Sequence, residues 1–226
     1  MSGQRKRRGS VRERKKVDGL KQSRQKEQGR EQGAPERRRL EHHHQLLRDA
    51  CSVVLTAIGE DGQREGLRDT PQRFGRAMLE MTEGYRQTAS DIVGDAIFTE
   101  SSAELVLVKR IEFYSLCEHH LLPFYGYAHV GYIPDGKIIG LSKIPRLVRL
   151  FSRRLQVQER LTEQIAGALD EILGPRGVGV VLEGHHLCMM MRGIQVQSGQ
   201  MVTSAFRGQL KEIGAARDEF LRAVGR

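Results

Sequence analysis

Residues 105–133 read LVLVKRIEFYSLCEHHLLPFYGYAHVGYI, and the rest of the chain is organised around them. Leu105, Leu107, Ile111 and Phe113 alternate with Val106, Val108, Glu112 and Tyr114. A period of two predicts a strand that runs straight into the loop at Cys117. A second strand is expected over about Tyr125–Ile133, followed by a turn at Pro134–Asp135–Gly136 and a return over Lys137–Leu141. Between the strands lies Ser115–Leu116–Cys117–Glu118–His119–His120–Leu121–Leu122–Pro123.

Cys117 and His120 have the C-x₂-H spacing with which one tight loop presents two metal ligands. Downstream stands His185–His186–Leu187–Cys188, led in by an expected strand over Val178–Glu183. Four of the eight histidines and two of the three cysteines fall in these two stretches. Thiolate sulfur and imidazole nitrogen suit Zn²⁺, with Cys188 as third ligand. Three protein ligands leave a position for water, whose pKa zinc lowers to roughly 7. A closed structural site is the competing reading if His119, His185 or His186 also binds. Otherwise His119 and His186 are left beside the metal, where a histidine can shuttle protons. His185 should point the other way on a strand, toward packing or an interface.

Working outward, apolar residues at Leu46, Leu47, Cys51, Val54, Leu55 and Ile58 have helical spacing, which makes Cys51 a buried core thiol rather than a ligand. The adjoining His42–His44 read as an exposed helix start. Asp69–Thr70–Pro71 predicts a second helix start, running to about Tyr85. Ser142 is positioned to cap a helix over about Lys143–Arg154, with Ile144, Leu147, Val148 and Phe151 on one face. Gln158–Leu173 predicts another amphipathic helix, stopped by Gly174–Pro175. Gly193–Val196 and Met201–Phe206 read as a closing strand pair, and Ala215–Val224 as a last helix. Helices, strands, a helix pair and more strands, without regular alternation, predict an α+β fold with an antiparallel sheet. Its free edges need cover, which closure into a ring of subunits supplies.

Charge is partitioned. The chain carries +9, and residues 1–40 hold 15 Lys/Arg against 5 Asp/Glu, so +10; the remainder sums to +9 − 10 = −1. The expected organisation is a disordered basic tail at 1–40, a helical region at 41–100 and a catalytic domain at 101–226. Nucleic-acid contact by the tail is open in principle, but no aromatic residue is interleaved for base stacking. Scattered cysteines, no apolar leader and no stretch near ~18 apolar residues lead us to expect a soluble, cytoplasmic protein with no membrane span. Lys143, Arg146, Arg149, Arg153 and Arg192 could hold a polyanion, although most such stripes are solvated faces. Neither G-x-x-x-x-G-K-[ST] nor G-x-G-x-x-G occurs.

Several blocks in register resemble one family. Ser115–His120, Gly140–Ile144, Gln156–Thr162, His186–Cys188 with Arg192–Gly193, and Glu65–Arg73 are similar to the signature blocks of GTP cyclohydrolase I over about residues 45–224. The resemblance implies the tunnelling fold, an antiparallel sheet backed by two helices and preceded by an N-terminal helical part. It also implies a homodecamer with sites between subunits. The implied reaction is zinc-dependent hydrolysis of GTP at C8 of guanine, releasing formate and forming 7,8-dihydroneopterin triphosphate for tetrahydrofolate and pterin synthesis. Position by position, Cys117, His120 and Cys188 resemble the zinc ligands, and His119 and His186 the proton-transfer histidines. Glu159, with Gln158 beside it, resembles the guanine anchor. Ser142, Lys143, Arg146 and Arg192 match triphosphate positions, and Arg73 is expected to join them from a neighbouring subunit. Pro145 and His185 depart from the common pattern without removing a matched position. Two rival readings are a thiol-dependent nitrile reductase of the queuosine pathway, with Cys117 as nucleophile, and a structural zinc protein that binds nucleic acid through its tail.

Overall fold

The computed structural model describes residues 35–226. The expected tail therefore lies outside the described residues up to 34, while 35–40 are helical and extend the first helix, α1, to 35–57. Compactness divides the chain at Leu79/Glu80. That is ahead of residue 100 because Ala89, Ile92, Val93 and Ile97 already pack into the core of the second unit.

In the first unit α1 buries Cys51 and Leu55, while Leu46, Val54 and Ile58 of the same apolar set stay exposed. The expected helix start at His42–His44 lies inside α1, which meets α2 (Thr70–Met81) where His44 Nε2 approaches Gln72 O at 3.2 Å. The second helix ends at Met81 rather than near Tyr85; Glu83–Arg86 form a separate 3-10 turn.

The second unit is a five-stranded sheet backed by two helices. Its strands are β2 (Val106–Cys117), β3 (Pro123–Ile133), β5 (Leu155–Gln156), β6 (Gly177–His186) and β7 (Met201–Gly208), in the order β5-β2-β3-β6-β7. All pairings are antiparallel except the two-residue β2–β5 ladder. Helices α4 (Lys143–Ser152) and α5 (Gln158–Leu173) cover one face with Ile144, Leu147, Val148, Leu161, Ile165 and Leu169. Helix α7 (Ala215–Val224) packs on the other face through Phe220, which is fully buried. Each helix follows from an apolar stripe at helical spacing, and Gly174 ends α5 in the left-handed conformation (φ 59°).

Two expectations give way. Lys137–Ile139 (β4) does not return onto β3; it pairs with Ile97–Thr99 (β1) in a separate two-stranded sheet. Residues 193–196 form no strand, and Met201–Gly208 pairs with β6 alone. A third is subtler. Between Val108 and Ile111 the β2–β3 register gains one residue, with Arg110 at φ 56°. This bulge flips the pleat. Leu105 and Leu107 therefore join the α7 side, while Ile111 and Phe113 face α4 and α5. No helix among the described residues is long and apolar enough to cross a membrane.

Candidate metal centre

Strands β2 and β6 are both antiparallel to β3, so they run parallel to each other and end at the same edge of the sheet. The register makes this concrete: Leu116 lies opposite Pro123, and Phe124 opposite His186. Cys117, the last residue of β2, and Cys188, in the short helix α6 (Leu187–Met190) that follows β6, thus meet across the start of β3. The loop between them is wound tightly. Leu121 N donates to Cys117 O at 2.8 Å, Cys117 N donates to Leu122 O at 2.9 Å, and Leu121 takes φ 55°. This curls His120 back over its own cysteine.

The ligand atoms of Cys117, His120 and Cys188 all lie within 4.8 Å of one another. Tetrahedral zinc bonds of ~2.0–2.3 Å place such atoms roughly 3.5–3.8 Å apart, so a small contraction closes the trio on one ion. Burial, and then the neighbouring Cys117, push the Cys188 thiol up. A divalent cation reverses that sign, since thiolates are the ligand form. The residues present therefore fit Zn²⁺. His120 Nδ1 is 3.9 Å from Cys117 Sγ, and its Nε2 meets Arg192 Nη1 at 2.9 Å. Guanidinium only donates, so Nε2 accepts. Arg192, matched in sequence to a triphosphate position, stands here against a metal-ligand candidate; zinc on one ring nitrogen of His120 leaves a hydrogen on the other, so this contact and zinc binding exclude each other.

His119 is mostly exposed and its Nδ1 is 3.8 Å from Cys117 Sγ. Next to it Glu118 is gripped by Arg160 at 2.5 and 3.1 Å, which holds its carboxyl below the usual range. His186 is half-buried, stacked on Phe124 (4.5 Å between centroids, 4° between planes), with Nε2 3.0 Å from Gln158 Oε1. Burial pulls its pKa down and Glu159 pulls it up. His185 tilts against Tyr125 on the opposite face, as alternation requires.

Glu159 opens α5 with its side chain exposed. Gln158, expected beside it at the guanine, is 1 % exposed, and its amide bonds to the sheet and faces His186. Thr162 and Thr203 complete its hydrogen bonding; Thr162 closes the Gln156–Thr162 block without a role read for it, and Thr203 looks like ordinary β-branched filling. The cationic residues form a different group. Lys143 Nζ donates to Ile92 O at 2.8 Å, and Arg149 pairs with Glu83 at 2.8 Å. Arg146 and Arg149 line a cleft of about 260 Å³ with Glu83, Gln87, Ile92 and Leu150, none of them from the metal trio. Ser142 precedes α4 but its hydroxyl makes no cap bond. Arg73, in the first unit, pairs with Asp69 at 3.3 Å.

A family model described as GTP cyclohydrolase I matches residues 47–225. The chain is 57% identical over 170 residues to "GTP cyclohydrolase 1" of Deinococcus radiodurans, covering 75% of this chain and 79% of that protein. It is 54% identical over 179 residues to the protein of the same name from Chlorobaculum tepidum, covering 79% and 80%. For the Pseudoalteromonas translucida protein the identity is 50% over 181 residues, covering 80% and 98%.

Proposed function

This chain belongs to the GTP cyclohydrolase I family, and we propose that Cys117, His120 and Cys188 hold its zinc ion while His119 and His186 move protons beside it. The enzyme hydrolyses GTP at C8 of guanine, releases formate and forms 7,8-dihydroneopterin triphosphate, the entry to tetrahydrofolate and pterin synthesis. The convergence of three soft donors from two strand ends within 4.8 Å carries this reading. When bound, zinc supplies Lewis acidity and an activated water at neutral pH.

The protein's own groups do the rest. The exposed Glu159 carboxylate can accept from the N–H and amino groups of a guanine edge. His186, backed by Phe124 and Gln158, can exchange protons at a fixed ring position. His119, exposed and close to Cys117, can serve the opposite side. The triphosphate is assigned to Ser142, Lys143, Arg146 and Arg192, with Arg73 from another subunit. Within one chain the Arg146 cleft and the metal trio are lined by different residues. That separation favours a site completed between subunits, and we assign the chain to a homodecamer in the cytoplasm. No role is assigned to the basic tail.

Formate measurement tests the function. Zinc-loaded protein given GTP should release one formate per GTP and yield a pterin that fluoresces after oxidation. Protein that holds zinc and leaves GTP unchanged would refute it.

A further inference from the structure

The side chain of Gln158 lies buried at the start of α5. Its Nε2 approaches the carbonyl oxygens of Leu182 at 3.2 Å and Met201 at 3.0 Å, and Thr203 Oγ1 at 3.1 Å. Backbone carbonyls only accept, so the amino end of the amide must be on this side. Oε1 therefore faces His186 Nε2, 3.0 Å away. An amide oxygen also only accepts, so His186 Nε2 carries a hydrogen, and in a neutral ring Nδ1 is left bare.

The hydroxyls fix the same direction independently. Thr162 Oγ1 lies 2.7 Å from the backbone oxygen of Gln158, and must donate to it. Thr162 can then only accept from Thr203 Oγ1, 2.7 Å away. Thr203, its hydrogen spent, accepts from Gln158 Nε2. The donors run from the Gln158 amide through Thr203 and Thr162 to the Gln158 carbonyl, beginning and ending on one residue. Reversing the amide would set its oxygen against two carbonyl oxygens. Position is fixed as well as direction. A Cβ on Gly184 would stand 2.2 Å from Gln158 Oε1, so the amide lies where β6 has no side chain. Phe124 holds the plane of the His186 ring.

We propose that Gln158 is a positioning residue for His186: with Thr203 and Thr162 it locks the ring in the Nε2–H tautomer, so that Nδ1 is the one nitrogen His186 offers to substrate. This rests on the reading of His186 as a proton-transfer group. It removes the Gln158 side chain from the guanine contacts, because the residue is buried, its amide hydrogens are directed at the sheet and its oxygen is turned to His186.

Solid-state NMR of sedimented, zinc-loaded enzyme carrying ¹⁵N-histidine tests the tautomer, with the His186 signals identified by their loss in His186→Asn. A neutral ring with a hydrogen on Nε2 and none on Nδ1 is expected, becoming a mixture in Gln158→Leu and in Thr203→Val. A hydrogen on Nδ1 in the unaltered enzyme overturns the proposal. Kinetics test the consequence. Gln158→Leu should lower kcat about 10- to 100-fold, with the KM for GTP within about twofold. In a His186→Asn background, single-turnover formate release should show no further loss. A raised KM with unchanged kcat would make Gln158 a guanine contact, and an equal loss in both backgrounds would make it a packing strut; either overturns the proposal. Absence of formate release from unaltered enzyme would refute the function instead, and the NMR spectrum would still decide the tautomer.

Discussion

Cys117 N donates to Leu122 O at 2.9 Å, so the loop that presents the first two metal ligands is closed on itself by the chain. Leu121 inside it takes φ 55° and donates its own N–H to Cys117 O. Proline can do neither. Leu121→Pro should therefore reduce zinc below about one tenth per chain, whereas Leu121→Gly, at ease with a positive φ, should retain it. Zinc analysis of the purified variants checks this, and equal zinc in both would show that the turn does not position the ligands.

The cysteines should separate cleanly by role. Cys188→Ala and Cys117→Ala should lose both zinc and formate release. Cys51, buried in the first unit, should not. Cys51→Ser should keep zinc, at a stability cost of about 1–3 kcal/mol for burying a hydroxyl, read from urea unfolding. Loss of zinc in Cys51→Ser would contradict the assignment.

His129 is buried on β3, and its Nδ1 has no hydrogen-bond partner among the described residues. Burial pushes its pKa below the ordinary value; Glu183 pulls it up, while Arg110, Lys109 and Arg226 push it further down. The unfolded chain thus takes up this proton first as pH falls. The stability contribution is complete above about pH 6.5 and is lost as pH drops toward the folded value. Thermal melts from about pH 7.5 to 5.5 should show a shallower decline for His129→Leu than for the unaltered protein. Identical slopes would remove His129 from the account.

Strands β3 and β6 approach so closely at Gly126 that an added Cβ would sit 1.8 Å from Glu183 O. A backbone atom cannot step aside as a side-chain tip can. Gly126→Ala should cost about 1–3 kcal/mol or more, seen as a lowered melting temperature. A variant as stable as the parent would mean that the ladder opens freely.

Much of this was legible before the structure. Gln158–Leu173 and Ala215–Val224 have the bounds expected from apolar spacing and glycine stops. The metal trio was legible because cysteine and histidine at short spacing have few other uses. The bulge at Arg110 was not, because one inserted residue leaves both halves of β2 alternating correctly while reversing their faces. Nor was the pairing of β4 with β1, since three-residue strands carry almost no pattern. The Gln158–Thr203–Thr162 relay joins residues from two elements far apart in the chain. Nothing local distinguishes a threonine that relays a hydrogen bond from one that fills a sheet.

An anomalous-scattering map recorded at the zinc edge on crystals of the zinc-loaded enzyme goes to the centre of the account. One peak is expected, at about 2.3 Å from the sulfurs of Cys117 and Cys188 and about 2.0–2.1 Å from a nitrogen of His120, with no fourth side chain in reach. A map with no peak among these three, or with His119 closing the fourth position, would contradict it.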